Sequence, residues 1–204
     1  MERINFEVLK ERVLELSESS IWEIAVTEWE ISNCEEDENC SSQCVCGQTN
    51  LKYLFTIHNF KNDNELYYIG STCIKRFGRE DLSSETDVIE KLFVLRHAIE
   101  KNKYIELNST FFSRKLLEYL FNKGAFLPTK YNDYNGKKDY LFMLDMFNKH
   151  TWSENQQRKI TAVILNSIKP YLVKNMKEHR KEKNNMQILN YSSFLYMINE
   201  TNHI

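Results

Sequence analysis

The cysteines of this 204-residue chain are confined to one short stretch, and no other feature constrains its fold as strongly. All five lie between Cys34 and Cys73, and the rest of the chain has none. An odd number of clustered cysteines is not typical of a disulfide framework, whereas clustered thiolates are preferred ligands of zinc. The sequence therefore predicts one structural zinc ion, bound by four cysteines, in the N-terminal part of the chain.

The centre of the predicted site is a C-V-C-G motif at residues 44–47. A glycine after a ligand cysteine lets the backbone turn tightly, so that N–H groups can point at the sulfurs. Cys73 falls in the first turn of a predicted helix, where free N–H groups and the helix dipole favour a thiolate. For the fourth position Cys34 is preferred, and Cys40 remains the alternative. The predicted ligands are Cys34, Cys44, Cys46 and Cys73.

A site with four cysteine ligands indicates a protein that is not an enzyme. Such a site leaves no position for water or substrate, which catalytic zinc sites keep open. The chain also lacks the G-x-S-x-G, Walker, H-E-x-x-H and G-x-G-x-x-G motifs, and its five histidines are scattered. We therefore expect the metal to have a structural role.

The predicted fold class is α+β. A small zinc-binding α/β module is predicted over residues 1–80 and a mostly α-helical bundle over residues 84–204. In the module, hydrophobic periodicity predicts a helix over 5–17, strands over 22–31, 52–59 and 65–70, and a short helix over 71–77. In the bundle, a capping-box sequence at 84–87 predicts the first helix start, Ser153 is predicted to cap the fourth helix, and Pro170 is predicted to begin a fifth.

Charge is distributed unevenly along the chain. Residues 1–46 carry twelve acidic and three basic side chains, so the remainder is net basic. The acidic run is predicted to form an exposed loop that contacts a basic partner, with a merely solvated loop as the alternative. Its residues are Glu35, Glu36, Asp37 and Glu38. A late cluster predicts an alternative nucleic-acid interface. It consists of Lys169, Lys174, Lys177, Arg180, Lys181 and Lys183.

The segment from Trp29 to Phe77, with its CVCG motif, FTI-type strand and IGSTCIKRF sequence, resembles a module in phage and prophage proteins of low-GC Gram-positive bacteria. Its order of knuckle, hairpin and cysteine-bearing helix also resembles a treble-clef zinc finger, although that family usually has C-x-x-C where this chain has C-x-C. The whole chain is similar to zinc-containing phage proteins that act as anti-CRISPR inhibitors.

That resemblance implies a protein that binds a type II CRISPR effector nuclease directly and blocks DNA loading or cleavage without catalysis. The positively charged channel of such a nuclease is the expected target of the acidic side chains. No apolar run in the sequence is long enough to span a membrane, so the cytoplasm of a bacterial host cell is the expected location. The alternative is a zinc-containing, nucleic-acid-binding accessory protein of phage recombination or replication.

Overall fold

The computed structural model describes residues 2–149 and 151–176, and over these ranges the fold is mixed, as the α+β class requires. The described chain contains seven α-helices and one three-stranded antiparallel sheet. The strands are β1 (Trp29–Glu36), β2 (Tyr53–Asn59) and β3 (Glu65–Ile69). The helices are α1 (Glu2–Glu15), α2 (Trp22–Ala25), α3 (Ser71–Lys75), α4 (Glu80–Glu100), α5 (Arg114–Asn122), α6 (Gly136–Phe147) and α7 (Glu154–Val163).

The chain divides into two compact units, and the boundary between Thr86 and Asp87 lies inside α4. The predicted start of the helical domain, residue 84, lies three residues before Asp87, where the second unit begins. Ser84, however, does not cap a helix, because α4 already begins at Glu80. The prediction was wrong in placing a helix start there.

The sheet of the first unit has the order β1-β2-β3, and both of its pairs are antiparallel. Trp29 and Ile31 are buried in β1, as alternation predicts for a strand with one face on the core. An irregularity between Ile31 and Asn33 shifts the register, so that Asn33 and Cys34 are both buried although they are neighbours. The predicted β2–β3 hairpin is confirmed.

The predicted strand over residues 22–31 is wrong for its first seven residues. These form α2 and a 3₁₀ turn at Val26–Glu28, and β1 begins only at Trp29. Tertiary packing explains the difference, because the Trp22 ring meets Phe6 and Phe77 edge-on with centroid distances of 5.6 Å each. A second correction concerns Glu35 and Glu36, which belong to β1 and not to a loop.

The second unit is helical, with its core on α4 to α7. The Ser153 cap predicted for α7 is confirmed, since its hydroxyl accepts the Gln156 N–H and the Gln156 side chain accepts the Ser153 N–H. Pro170 does not begin a separate helix. The backbone continues from α7 through a π-helical turn at Ile164–Ile168 into helical residues up to 176. Such a widened turn accommodates the proline, which has no N–H to donate.

Candidate metal centre

A tight turn at residues 44–47 presents two of the predicted ligands. The Gly47 N–H donates to the Cys44 carbonyl at 2.8 Å, and the Cys44 N–H donates to the carbonyl of Gln48 at 2.8 Å. Gly47 has a φ of +88°, which residues with a Cβ rarely adopt. A bridge between Ser42 and Leu51 closes the surrounding segment. The C-V-C-G motif is therefore the tip of a small hairpin.

The third ligand comes from the junction between β3 and α3. Gly70 is the residue before α3, and Cys73 is the third residue of that helix. The turn is joined to β3 by a hydrogen bond from the Val45 N–H to the Tyr68 carbonyl, at 2.9 Å. Two distant parts of the sequence thus bring their cysteines together.

The three sulfurs form a compact, buried cluster. Cys73 Sγ lies 3.6 Å from Cys44 Sγ and 3.4 Å from Cys46 Sγ, and all three sulfurs lie within 4.8 Å of one another. With zinc–sulfur bonds of about 2.3 Å, the sulfurs of a tetrahedral site lie about 3.8 Å apart. All three are free thiols, and each side chain is buried. The cluster has the spacing of one face of a tetrahedral thiolate site and can hold a metal ion.

The surroundings of the cluster favour a negative charge on Cys44. Its sulfur is in hydrogen-bonding contact with the sulfur of Cys73 and accepts a hydrogen bond from the Gly70 N–H, which lies 3.4 Å away. These contacts lower the pKa of Cys44 to about 5. Sharing its proton with Cys44, together with burial, raises the pKa of Cys73, and burial raises the pKa of Cys46. These shifts favour a thiolate on Cys44 and the neutral form of Cys46 and Cys73.

The structure does not bring Cys34 into this cluster. Cys34 is buried in β1 and pairs with Phe55 of β2, which in turn pairs with Ile69 of β3. Two strand spacings, about 10 Å, therefore separate it from the strand that leads to Cys73. Cys40 is half-buried in the loop between β1 and the C-V-C-G turn, and it also lies outside the cluster. The identity of the fourth ligand stays a prediction.

The predicted partner-binding run mostly makes contacts within the protein. Glu36 forms an ion pair with Lys52, with 3.5 Å between the charged atoms. Asp37 Oδ2 accepts hydrogen bonds from the N–H and hydroxyl groups of both Ser41 and Ser42. These bonds, the Ser42 hydroxyl first, lower the pKa of Asp37 to about 2. Within this run Glu38 is exposed, and Glu35, Glu36 and Asp37 are half-buried.

Asp37 has a structural role that differs from the partner contact predicted from its charge. It orders the loop that leads into the C-V-C-G turn. The signal was present in the sequence as an aspartate followed by two serines, at the fourth and fifth positions after it. Short polar side chains of this kind commonly bond to neighbouring backbone in turns.

No protein-family model, no curated protein and no solved structure matches this chain. Among the described residues, no helix has both the length and the apolar character to cross a membrane. Most of the predicted basic cluster, from Lys177 onward, lies outside the described residues. The buried sulfur cluster is therefore the strongest chemical feature on which a function can be based.

Proposed function

We propose that the protein is a non-catalytic binding protein whose first unit is built around a structural zinc ion. The observation that carries this proposal is the burial of all three clustered sulfurs, whose side chains are at most 4% exposed. Three thiolates at tetrahedral spacing suit zinc, and the burial of all three sulfurs favours a structural role for the metal over a catalytic one. Its contribution is to hold the 44–47 turn against the β3–α3 junction, so that metal binding supplies folding free energy.

The proposed partner is a host type II CRISPR effector nuclease, which the protein binds and inhibits in the bacterial cytoplasm. Support for this partner comes from the similarity of the segment Trp29–Phe77 to phage modules and from the acidic character of residues 1–46. A basic channel that holds nucleic acid is the kind of surface that acidic side chains complement. In this proposal the protein occupies such a surface and blocks DNA loading or cleavage.

The contacts within the acidic run show which substitutions can test the proposed contact with the nuclease. Glu38 is exposed, so Glu38→Lys changes the surface charge without removing an internal contact. Asp37→Asn perturbs the loop itself, because the Asp37 carboxylate organises Ser41 and Ser42. A comparison of the two variants separates a contact with the partner from a loss of local structure.

The deciding experiment is size-exclusion chromatography of the zinc-quantified protein with a type II effector nuclease, with and without guide RNA and at two salt concentrations. We expect a stable complex, one zinc per chain, and inhibition of target cleavage. Glu38→Lys should weaken the complex, more strongly at low salt, while zinc content stays unchanged. Lys10→Glu, a charge change of opposite sign in α1, serves as the control.

Two results would overturn parts of this proposal independently. Absence of a complex at both salt concentrations would refute the nuclease as partner but leave the structural metal intact. A purified, folded chain that contains no metal and gains no stability from added zinc would refute the structural role of the site.

A further inference from the structure

A loop between α5 and α6 displays two tyrosines to solvent. We call residues 127–138, which include the first three residues of α6, the tyrosine loop. Tyr131 is 83% exposed and Tyr134 is 75% exposed, and these are the highest exposures among the large apolar and aromatic side chains of the described chain. These two rings therefore do not contribute to the hydrophobic core. Three lysines and one aspartate share the loop, which makes it net positive.

One buried asparagine joins several parts of the loop by using its full hydrogen-bonding capacity. Asn132 Oδ1 accepts from the N–H groups of Thr129 and Asn135, at 2.8 and 3.1 Å. Its Nδ2 donates to the Leu127 carbonyl at 2.9 Å and to Asp139 Oδ2 at 2.7 Å. Asn132 is only 2% exposed, so each of these bonds is shielded from water.

Further contacts hold the same loop from the helical side. Asp139 is buried and also forms an ion pair with Lys159, with 3.1 Å between the charged atoms. A Cβ on Gly136 would lie 2.0 Å from the Phe126 carbonyl oxygen, so only glycine fits there. Tyr134 has a φ of +56°, a conformation that a bulky residue adopts only when its surroundings impose it. The loop thus presents its rings in a fixed arrangement.

Lysines accompany both rings. Lys130 Nζ lies 5.0 Å from the centroid of the Tyr131 ring, and Lys137 and Lys138 follow Tyr134 at the start of α6. Lys130 and Lys137 are exposed, whereas Lys138 contacts Asp133 at 2.5 Å. Tyrosine is common in protein–protein interfaces, but lysine is depleted there. Exposed aromatic rings beside cations are the combination that binds single-stranded nucleic acid, because bases stack on the rings and phosphates contact the ammonium groups.

We propose that the tyrosine loop is a binding site for single-stranded nucleic acid. Tyr131 and Tyr134 provide two stacking positions, and Lys130 and Lys137 contact the phosphates on either side. The site belongs to the second unit and requires neither the metal centre nor a nuclease partner. Binding at this site is independent of base sequence, since every base has a face that can stack.

The test is fluorescence anisotropy of the full, zinc-loaded chain with labelled thymidine and uridine oligonucleotides of about 15 nucleotides. The main variant combines Tyr131→Ala with Tyr134→Asn, because asparagine tolerates the left-handed backbone at position 134. Tyr104→Ala is the matched control, since Tyr104 is 60% exposed in the same unit. Circular dichroism establishes that each variant is folded.

We expect the double tyrosine variant to lose at least tenfold in affinity and the control to keep its affinity. Lys130→Ala with Lys137→Ala should lower the slope of log affinity against log salt by about 1.4, while Lys149→Ala should lower it by less. A preference for the thymidine or the uridine strand then assigns DNA or RNA. No binding to either strand at low salt overturns the proposal, and so does binding that the folded tyrosine variant retains.

Discussion

Glu85 makes the stability of the first unit depend on pH in a way that one substitution can remove. It lies on α4 within the first unit, largely buried, and its Oε1 has no hydrogen-bond partner among the described residues. Burial, with the nearby charges of Asp81 and Glu30, raises the pKa of Glu85 from 4.5 to about 7. The ionised side chain is therefore disfavoured in the folded protein.

The sign of the effect follows from proton binding. Between pH 4.5 and about 7 the folded state keeps a proton on Glu85 that the unfolded chain releases. The contribution of Glu85 to stability is therefore largest below pH 4.5, declines as pH rises, and is fully lost above about pH 7. A shift of this size corresponds to about 3 kcal/mol.

The perturbation is Glu85→Gln, which keeps the shape of the protonated acid and cannot ionise. Chemical denaturation of the zinc-loaded protein at pH 5 and pH 8 gives the free energy of unfolding. We expect little difference from the parent at pH 5 and a gain of up to about 3 kcal/mol for the variant at pH 8. Glu118→Gln, at an exposed position on α5, should show no such gain. Parallel pH dependences in parent and Glu85→Gln would refute the reasoning.

Four further outcomes follow from the structure. Cys73→Ser should abolish stoichiometric zinc binding measured by mass spectrometry, since it removes a ligand from the cluster. Cys40→Ser should lower zinc affinity, whereas Cys34→Ser should leave it unchanged, because a turn residue can reach the cluster more easily than one held two strands away. Because the pKa of Cys73 and that of Cys46 are raised, calorimetry in buffers of different ionisation enthalpy should show release of at least two protons on zinc binding at pH 7. Asn132→Ala should lower the free energy of unfolding by about 2–3 kcal/mol in denaturation experiments, because it leaves buried partners unpaired.

Features that depend on neighbouring residues were predictable from the sequence. The β2–β3 hairpin follows from alternation and a polar link, and the Ser153 cap follows from its own first turn. Clustering of Cys44, Cys46 and Cys73 was also predictable, since a tight turn and a cysteine at a helix start are local signals. In each case the sequence signal lies in the same residues that form the structural feature.

Features set by distant contacts were not predictable in the same way. Residues 22–25 have β-branched and aromatic character, yet they are helical because Trp22 packs against Phe6 and Phe77. The distance of Cys34 from the cluster depends on the strand order, which no local pattern encodes. The sequence similarly could not distinguish Asp37, which accepts four local hydrogen bonds through Oδ2, from the exposed Glu38 beside it.

The hydrogen bond from the Val45 N–H to the Tyr68 carbonyl has a consequence beyond ligand placement. β3 is an edge strand, and edge strands present unpaired backbone groups on which another chain can add. The turn at residues 44–47 satisfies one of these groups, the Tyr68 carbonyl. If a metal ion holds the turn in place, its removal frees the turn and leaves this edge open, so that treatment with a chelator should promote self-association as well as unfolding. A metal bound at this turn would then also protect the chain from aggregation.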